Sequence, residues 1–424
     1  MSIFITAAVL ASALTATPWQ TSWYASPQPS WDSTFILPTN VPTSVAGLTV
    51  REIVRTSVGG KQVRVQLSNR YGTAPLTIGS VRIALAGAGG KIDPSTDRAL
   101  TFNGQSSVIV PPGAPVLSDP IDFVAGPLTR LAVSSYFPGP APVHTFHWGE
   151  QQTAYVTGGD ATRQASFAAA RHIKGRVFLT SVLVDAGPAA HTVIAFGDSI
   201  TDGNGSTPDA NRRWPDRLAE RMSASGCGMA VVNAGISGAR LLGDKMGVNA
   251  LARFEQDVLG QPGEKTVLVL MGINDIGWPG SPFAPDAPPA SAGQLIAAYR
   301  QLIALAHLHH IRIVGATLPP FEGALAGTPF AGHFSPAKDL VRMEVNAWLR
   351  TAGAFDAVLD FDALLRDPAH PARMLPTFDS GDHLHPGDAG YQAMADVAST
   401  LLDPAAARSW SDRNKNLINC ISAR

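Results

Sequence analysis

A small nucleophile sits where an apolar run ends: Val193-Ile194-Ala195-Phe196 is followed directly by Gly197-Asp198-Ser199-Ile200. A serine at a strand end is placed to attack a carbonyl carbon, but its hydroxyl is weakly nucleophilic until an oriented base takes its proton. Asp382-His383-Leu384-His385-Pro386 supplies both base and orienter. The spacing lets one tight turn bring Asp382 to one imidazole nitrogen of His385 while the other faces Ser199. Pro386 keeps the chain out of helix there. Two more short blocks follow apolar runs, Asn233-Ala234-Gly235-Ile236-Ser237-Gly238 and Gly272-Ile273-Asn274-Asp275. Acyl transfer also requires donors aimed at the oxyanion, and these blocks can hold them. Singly, each block has an ordinary role: Asp-Ser as a turn, Asp382 as the cap of a following helix, His385 as a surface histidine. Together they favour chemistry.

His383, with Asp379 and Asp382, suggests a metal site through its His-x-His spacing. No Cys or Glu cluster completes that shell, so neither metal nor organic cofactor is expected. Asp379 with His383 is instead the alternative base pair. His307, His309 and His310 fall at the end of a helical pattern, where cations meet the dipole favourably, and read as structural.

These blocks must be positioned by the elements around them. From about Leu48 to Val184 short β-type runs alternate with Gly/Pro turns: Val63–Leu67, Leu76–Leu85, Ser107–Val110, Thr129–Tyr136 and Val177–Val184. Gly59-Gly60 reads as a hairpin turn. Such a series predicts an all-β, jelly-roll-like sandwich. After Asp185-Ala186-Gly187-Pro188 the texture changes to strands at Thr192–Phe196, Met229–Asn233, Thr266–Met271, Arg312–Thr317 and Val358–Phe361. Helices fit Pro215–Ser223, Asn249–Leu259, Ser291–His307, Ala337–Thr351 and Asp388–Leu402. That is an α/β series with a parallel sheet, whose site belongs beyond the C-terminal strand ends. Ser199, Gly235 and Asn274 each follow a predicted strand and share that rim. Residues 279–289, rich in Pro and Ala, read as a solvated connection that leaves the rim and could also face substrate.

The 424 residues exceed one ordinary domain. The expected division is a cleaved export signal at 1–17, a β-sandwich domain at 18–187, an α/β domain carrying the four blocks at 188–406 and a tail at 407–424. Ile3–Ala16 is apolar with small residues at its end, and too short to span a bilayer. No Lys or Arg precedes Arg51 to give the positive leader, so the competing reading is a buried N-terminal strand. An exported protein, secreted or periplasmic, is the expectation. A net charge of -1 with 15% charged residues gives no electrostatic reason to expect nucleic-acid binding. Cys227 and Cys420 read equally as one disulfide or as two unrelated thiols. Trp19, Trp23, Tyr24 and Trp31 read as packing of a terminal segment rather than a sugar-stacking surface.

The four blocks, in this order and at these spacings, closely resemble the SGNH (GDSL) superfamily of serine esterases and acylhydrolases, over about half the chain. The resemblance implies a flavodoxin-like three-layer α/β/α domain with Ser199 as nucleophile and Asp382 and His385 completing a triad. It also implies an oxyanion hole of the Ser199 N–H, the Gly235 N–H and the Asn274 side chain. Position 200 is Ile where Leu is commoner, a conservative change in an aliphatic slot. A β domain before such a core is similar to what exported members acting on acylated polysaccharides carry. The implied substrates are therefore esters of small molecules or polysaccharides, short acyl groups on carbohydrate first, with longer-chain lipase or phospholipase-type acylhydrolysis as the alternative. A carbohydrate-binding protein without activity is the third possibility, and the intact triad argues against it.

Overall fold

A computed structural model describes residues 18–402, apart from 168–169, 186, 188–190 and 227. The expected export signal, the C-terminal tail, Cys227 and Cys420 lie outside the described residues. Two antiparallel sheets form first. One runs in the order Trp19–Tyr24, Leu179–Asp185, Gly60–Ser68, Ile121–Ala125. The other runs Arg171–Val177, Thr145–Gly158, Leu48–Arg55, Arg130–Phe137, Ser80–Leu85, Arg98–Leu100. The alternation predicted for Val63, Val65 and Leu67 places these three in the core between the sheets, with Val50, Val54, Leu131 and Val133 opposite. Burying such side chains supplies about 1.5–3 kcal/mol each.

Several expected boundaries are corrected. Gly59-Gly60 is not a hairpin turn: Leu48–Arg55 and Gly60–Ser68 lie in different sheets, so the chain crosses the sandwich here. Glycine is needed because a Cβ at 59 would fall 2.6 Å from the Ala125 carbonyl oxygen. The run Leu76–Leu85 breaks at Gly79 into Leu76–Ile78, paired with Val108–Val110, and Ser80–Leu85, paired with Arg130–Phe137. The run Val177–Val184 breaks at Phe178, whose φ of 65° ends one strand before the next begins at Leu179. Phe361 leaves the last predicted strand, which is Ala357–Leu359, and opens the short helix Phe361–Leu365, capped by the Asp360 carboxylate on the Ala363 N–H.

From His191 the pattern is βα. His191–Gly197 lies between Met229–Gly235 and Glu264–Leu270, with Arg312–Ala316 and Ala357–Leu359 beyond the latter, every pair parallel. Apolar runs without alternation form these strands because helices cover both faces. The order is 2-1-3-4-5 counted within this sheet, and the chain reverses direction across it at the first strand. Ser199 follows that strand and Asn274 follows its neighbour, so both stand at the switch point.

The two parts interlock. Tyr24 of the first antiparallel strand is buried in the core of the parallel sheet, and Ala230 of that sheet is buried in the core of the sandwich. Polar groups close the seam: Gln20 Nε2 donates to the His191 carbonyl at 2.6 Å, Thr21 Oγ1 to Gln261 Oε1 at 2.8 Å, and Arg213 pairs with Glu150 at 2.7 Å. Trp23 and Tyr24 are buried, Arg64 lies over Trp19, and Trp31 stands edge-on to Phe146.

Candidate active site

The turn at Ser199 is built by its neighbours. A Cβ on Gly197 would meet the Leu270 carbonyl at 2.7 Å and the Thr201 side chain, so only glycine lets the strand turn this tightly. Asp198 caps the one-turn helix Ser199–Asp202, its Oδ1 accepting the Ile200 N–H at 3.0 Å. Burial pushes the Asp198 carboxyl up to about 7. Its Oδ2 finds no partner among the described residues.

Ser199 Oγ lies 2.8 Å from His385 Nε2, and His385 Nδ1 lies 2.6 Å from Asp382 Oδ2. A carboxylate only accepts, so Nδ1 carries the proton and Nε2 is left to receive the serine O–H. The motif's spacing works through an Asx-type turn. Asp382 Oδ1 accepts the N–H of Leu384 at 3.0 Å and of His385 at 2.8 Å, and His383 between them takes a φ of 61°. Burial raises the Asp382 carboxyl, but the hydrogen bonds and charge of His385 outweigh it and hold the group well below the usual carboxylate range. Asp379 and His383 also pair, at 2.6 Å, on a half-exposed side chain that makes no bond to Ser199. Among the described residues no group of three or more His, Cys, Asp or Glu could hold a metal ion.

On the oxyanion side the expected donor Gly235 is corrected. It is the last residue of its strand, and its N–H is taken by Asn233 Oδ1 at 2.8 Å. Position 235 is glycine for a steric reason: a Cβ would press on the helix Ser199–Asp202, 2.8 Å from the Thr201 carbonyl carbon. Gly238, with a φ of 74°, is the glycine that turns the loop, and its N–H makes no hydrogen bond to described residues. The Ser199 N–H likewise makes no hydrogen bond to described residues. Asn274 Nδ2 gives one hydrogen to the Ala239 carbonyl at 3.1 Å and keeps the other. The loop between is held by carboxylates: Asp202 accepts the N–H and hydroxyl of Ser237, and Asp275 accepts the N–H groups of Leu241 and Leu242. Burial pushes Asp275 up to about 6.

Three supports carried no motif. Arg253, 3% exposed, donates to the carbonyls of Gly197 and Ala234 at 2.8 Å each, tying the two strand ends beneath the site. Asp257 holds that guanidinium at 2.6 Å and takes the Tyr24 hydroxyl at 2.7 Å. The helix pattern over 249–259 gave the element; two buried charges four residues apart in it were the available signal. The segment is α-helical over Ala250–Phe254 and π-helical over Glu255–Leu259. Residues 279–289 are pinned rather than free, since Phe283 stacks between Trp278 and Phe330 at 4.8 and 4.4 Å.

Fold and site define the class: an ester hydrolase with a three-layer α/β domain. Residues 195–393 match the GDSL-like lipase/acylhydrolase family, and this part of the chain is a domain of that family. The protein is a carboxylic ester hydrolase. No curated protein matches the chain. Among solved structures it is similar to the acetyl xylan esterase AlAXEase, at 21% identity over 50% of this chain and 99% of that one, TM-score 0.37. It is also similar to the lipase/acylhydrolase from Enterococcus faecalis, at 19% identity over 50% and 95%, TM-score 0.37. The M. smegmatis aryl esterase matches at 14% identity over 50% and 98%, TM-score 0.40.

Proposed function

We propose that the protein cleaves carboxylic esters through an acyl-enzyme on Ser199, and that its substrates are short acyl groups, acetyl first, carried on carbohydrate. The chain Ser199–His385–Asp382 at 2.8 and 2.6 Å carries the first part. Ser199 Oγ bonds to the ester carbon while His385 Nε2 takes its proton, and Asp382 stabilises the imidazolium. The developing oxyanion meets the N–H groups of Ser199 and Gly238 and the second N–H of Asn274. The C–O bond breaks and the alcohol leaves with the proton from His385. Water, deprotonated by His385, then attacks the acyl carbon and returns Ser199 and a carboxylic acid.

The substrate class rests on the likeness of the two-part arrangement to exported enzymes of acylated polysaccharides, as does placement outside the cytoplasm. The test is a series of aryl esters of increasing acyl length beside acetylated polysaccharides. A rate falling steeply beyond short chains, with acetate released from the polymer, supports the reading. A rate that rises with chain length supports a lipase-type acylhydrolase instead. No turnover on any ester would leave a binding protein.

A further inference from the structure

The antiparallel strand Thr145–Gly158 sends His147 towards the helix Ser199–Asp202. His147 is 3% exposed, and its two ring nitrogens face two acceptors: Nδ1 lies 2.8 Å from the Ser26 carbonyl and Nε2 lies 3.0 Å from Asp202 Oδ1. A carbonyl and a carboxylate can only accept, so both nitrogens carry protons and the ring is a buried cation paired with Asp202. The charged groups around it are Asp202 on the nucleophile helix and Glu150 on its own strand, the latter bound by Arg176 and Arg213.

Asp202 divides its oxygens. Oδ1 takes the histidine, and Oδ2 takes the Ser237 N–H at 3.1 Å and the Ser237 hydroxyl at 2.6 Å. The next peptide is that of Gly238, whose N–H makes no hydrogen bond to described residues, and the carbonyl of Ala239 beyond it holds the Asn274 amide. One line of contacts thus runs from the sandwich to both loop donors on the oxyanion side. Donors fixed before reaction cost no reorganisation when charge develops, and a neutral or absent partner at 147 would leave Asp202 a buried anion free to recruit water or swing.

We infer that His147, contributed by the β-sandwich, is a positioning residue for catalysis, fixing the Ser237–Gly238 loop through Asp202 so that the oxyanion donors stand ready. The inference rests on the Ser199 mechanism proposed above. It makes the sandwich part of the active site's construction and not only an appended module.

The test is steady-state hydrolysis of p-nitrophenyl acetate by the full chain carrying His147→Ala, His147→Gln, Ser237→Ala or Ser199→Ala, with a melting curve for each. His147→Ala should lower kcat about 10- to 100-fold, short of the about 10²–10³ for loss of a direct donor, with KM within about twofold. His147→Gln, which keeps one N–H for Asp202, should recover part of that loss. Ser237→Ala should lower kcat in the same sense by a smaller factor. Wild-type kcat in a folded His147→Ala protein, or a loss confined to KM, overturns the inference. Should His147→Ala fail to fold, Ser237→Ala decides: an unchanged kcat overturns the positioning role. Activity surviving in Ser199→Ala would sink the underlying mechanism instead, whatever the His147 variants do.

Discussion

The rim of the parallel sheet and the sandwich face pressed against it are built in opposite ways. At the rim, the proposed reacting groups sit in short contiguous blocks: Ser199 after His191–Gly197, Asn274 after Glu264–Leu270, and Asp382 with His385 in one tight turn. On the sandwich face, Tyr24, His147 and Glu150 come from two strands with no motif, and each acts through a buried charged partner on the hydrolase side. The proposed chemistry thus comes in short recognisable blocks, although Ser199 and His385 stand 186 residues apart, whereas the support that joins Tyr24 to Asp257 carries no motif at either end.

Substitutions should separate the two regions. The largest effect belongs to the rim. Asp382→Asn removes the acceptor that sets the His385 tautomer and should cost about 10⁴ in kcat, by the behaviour of the same change in serine proteases. Asp379→Asn in the neighbouring, exposed pair should leave kcat unchanged. Steady-state kinetics on one ester measure both, and equal losses would erase the distinction between the two Asp–His pairs. Asn274→Ala should lose about 10²–10³ in kcat with little change in KM. A loss seen only in KM would make Asn274 a substrate-binding group.

Stability should follow different residues. His191, bonded to Thr266 at 3.0 Å, is pushed down to about 4 by burial and by Arg312. His333, whose ring nitrogens have no partner among the described residues, is pushed down to about 3 by burial and Lys338. Both folded values lie below the ordinary 6.5, so the folded state binds fewer protons than the unfolded chain. Their contribution is complete above about 6.5 and is lost as pH falls towards 4. The melting temperature should therefore drop on acidification, and His191→Asn should flatten the slope. A slope unchanged by that substitution would remove His191 from the acid limb.

A second pH effect, of opposite sign, lies within the sandwich. Burial pushes Glu52 up to about 8, with Arg176 opposing. Its folded value lies above the ordinary 4.5, so its stabilisation is whole below 4.5 and is lost as pH rises to 8. At pH above 8, Glu52→Gln should raise the melting temperature; below 4.5 it should do nothing. A loss of stability at alkaline pH would show that the ionised carboxylate is a net asset beside Arg176.

How much could be read from the chain follows the same division. The parallel sheet is legible because its strands are uninterrupted apolar runs, and the contact of Ser199 with His385 and Asp382 because a strand end and a tight turn hold them in short blocks. Gly235 and Gly238 look alike in the sequence, which cannot tell a glycine that makes room for a helix from one that turns a loop; Gly238, three residues on, does the latter. The strand Thr145–Gly158 escaped notice because His147, Glu150 and Gln152 break its alternation. These residues are polar and buried because their partners lie on the other half of the molecule, which is information no local window contains. Arg253 was hidden likewise: a helix pattern says nothing of two strand carbonyls waiting for a guanidinium.

The most direct measurement of the central claim is covalent labelling of the intact protein with a fluorophosphonate, followed by peptide mass spectrometry, in wild type and in Ser199→Ala. One label per chain on the peptide containing Ser199 is expected, absent in the variant, whose turnover should fall by about a millionfold with its fold retained. A label on any other residue, or more than a small percentage of activity left in Ser199→Ala, would contradict the serine mechanism.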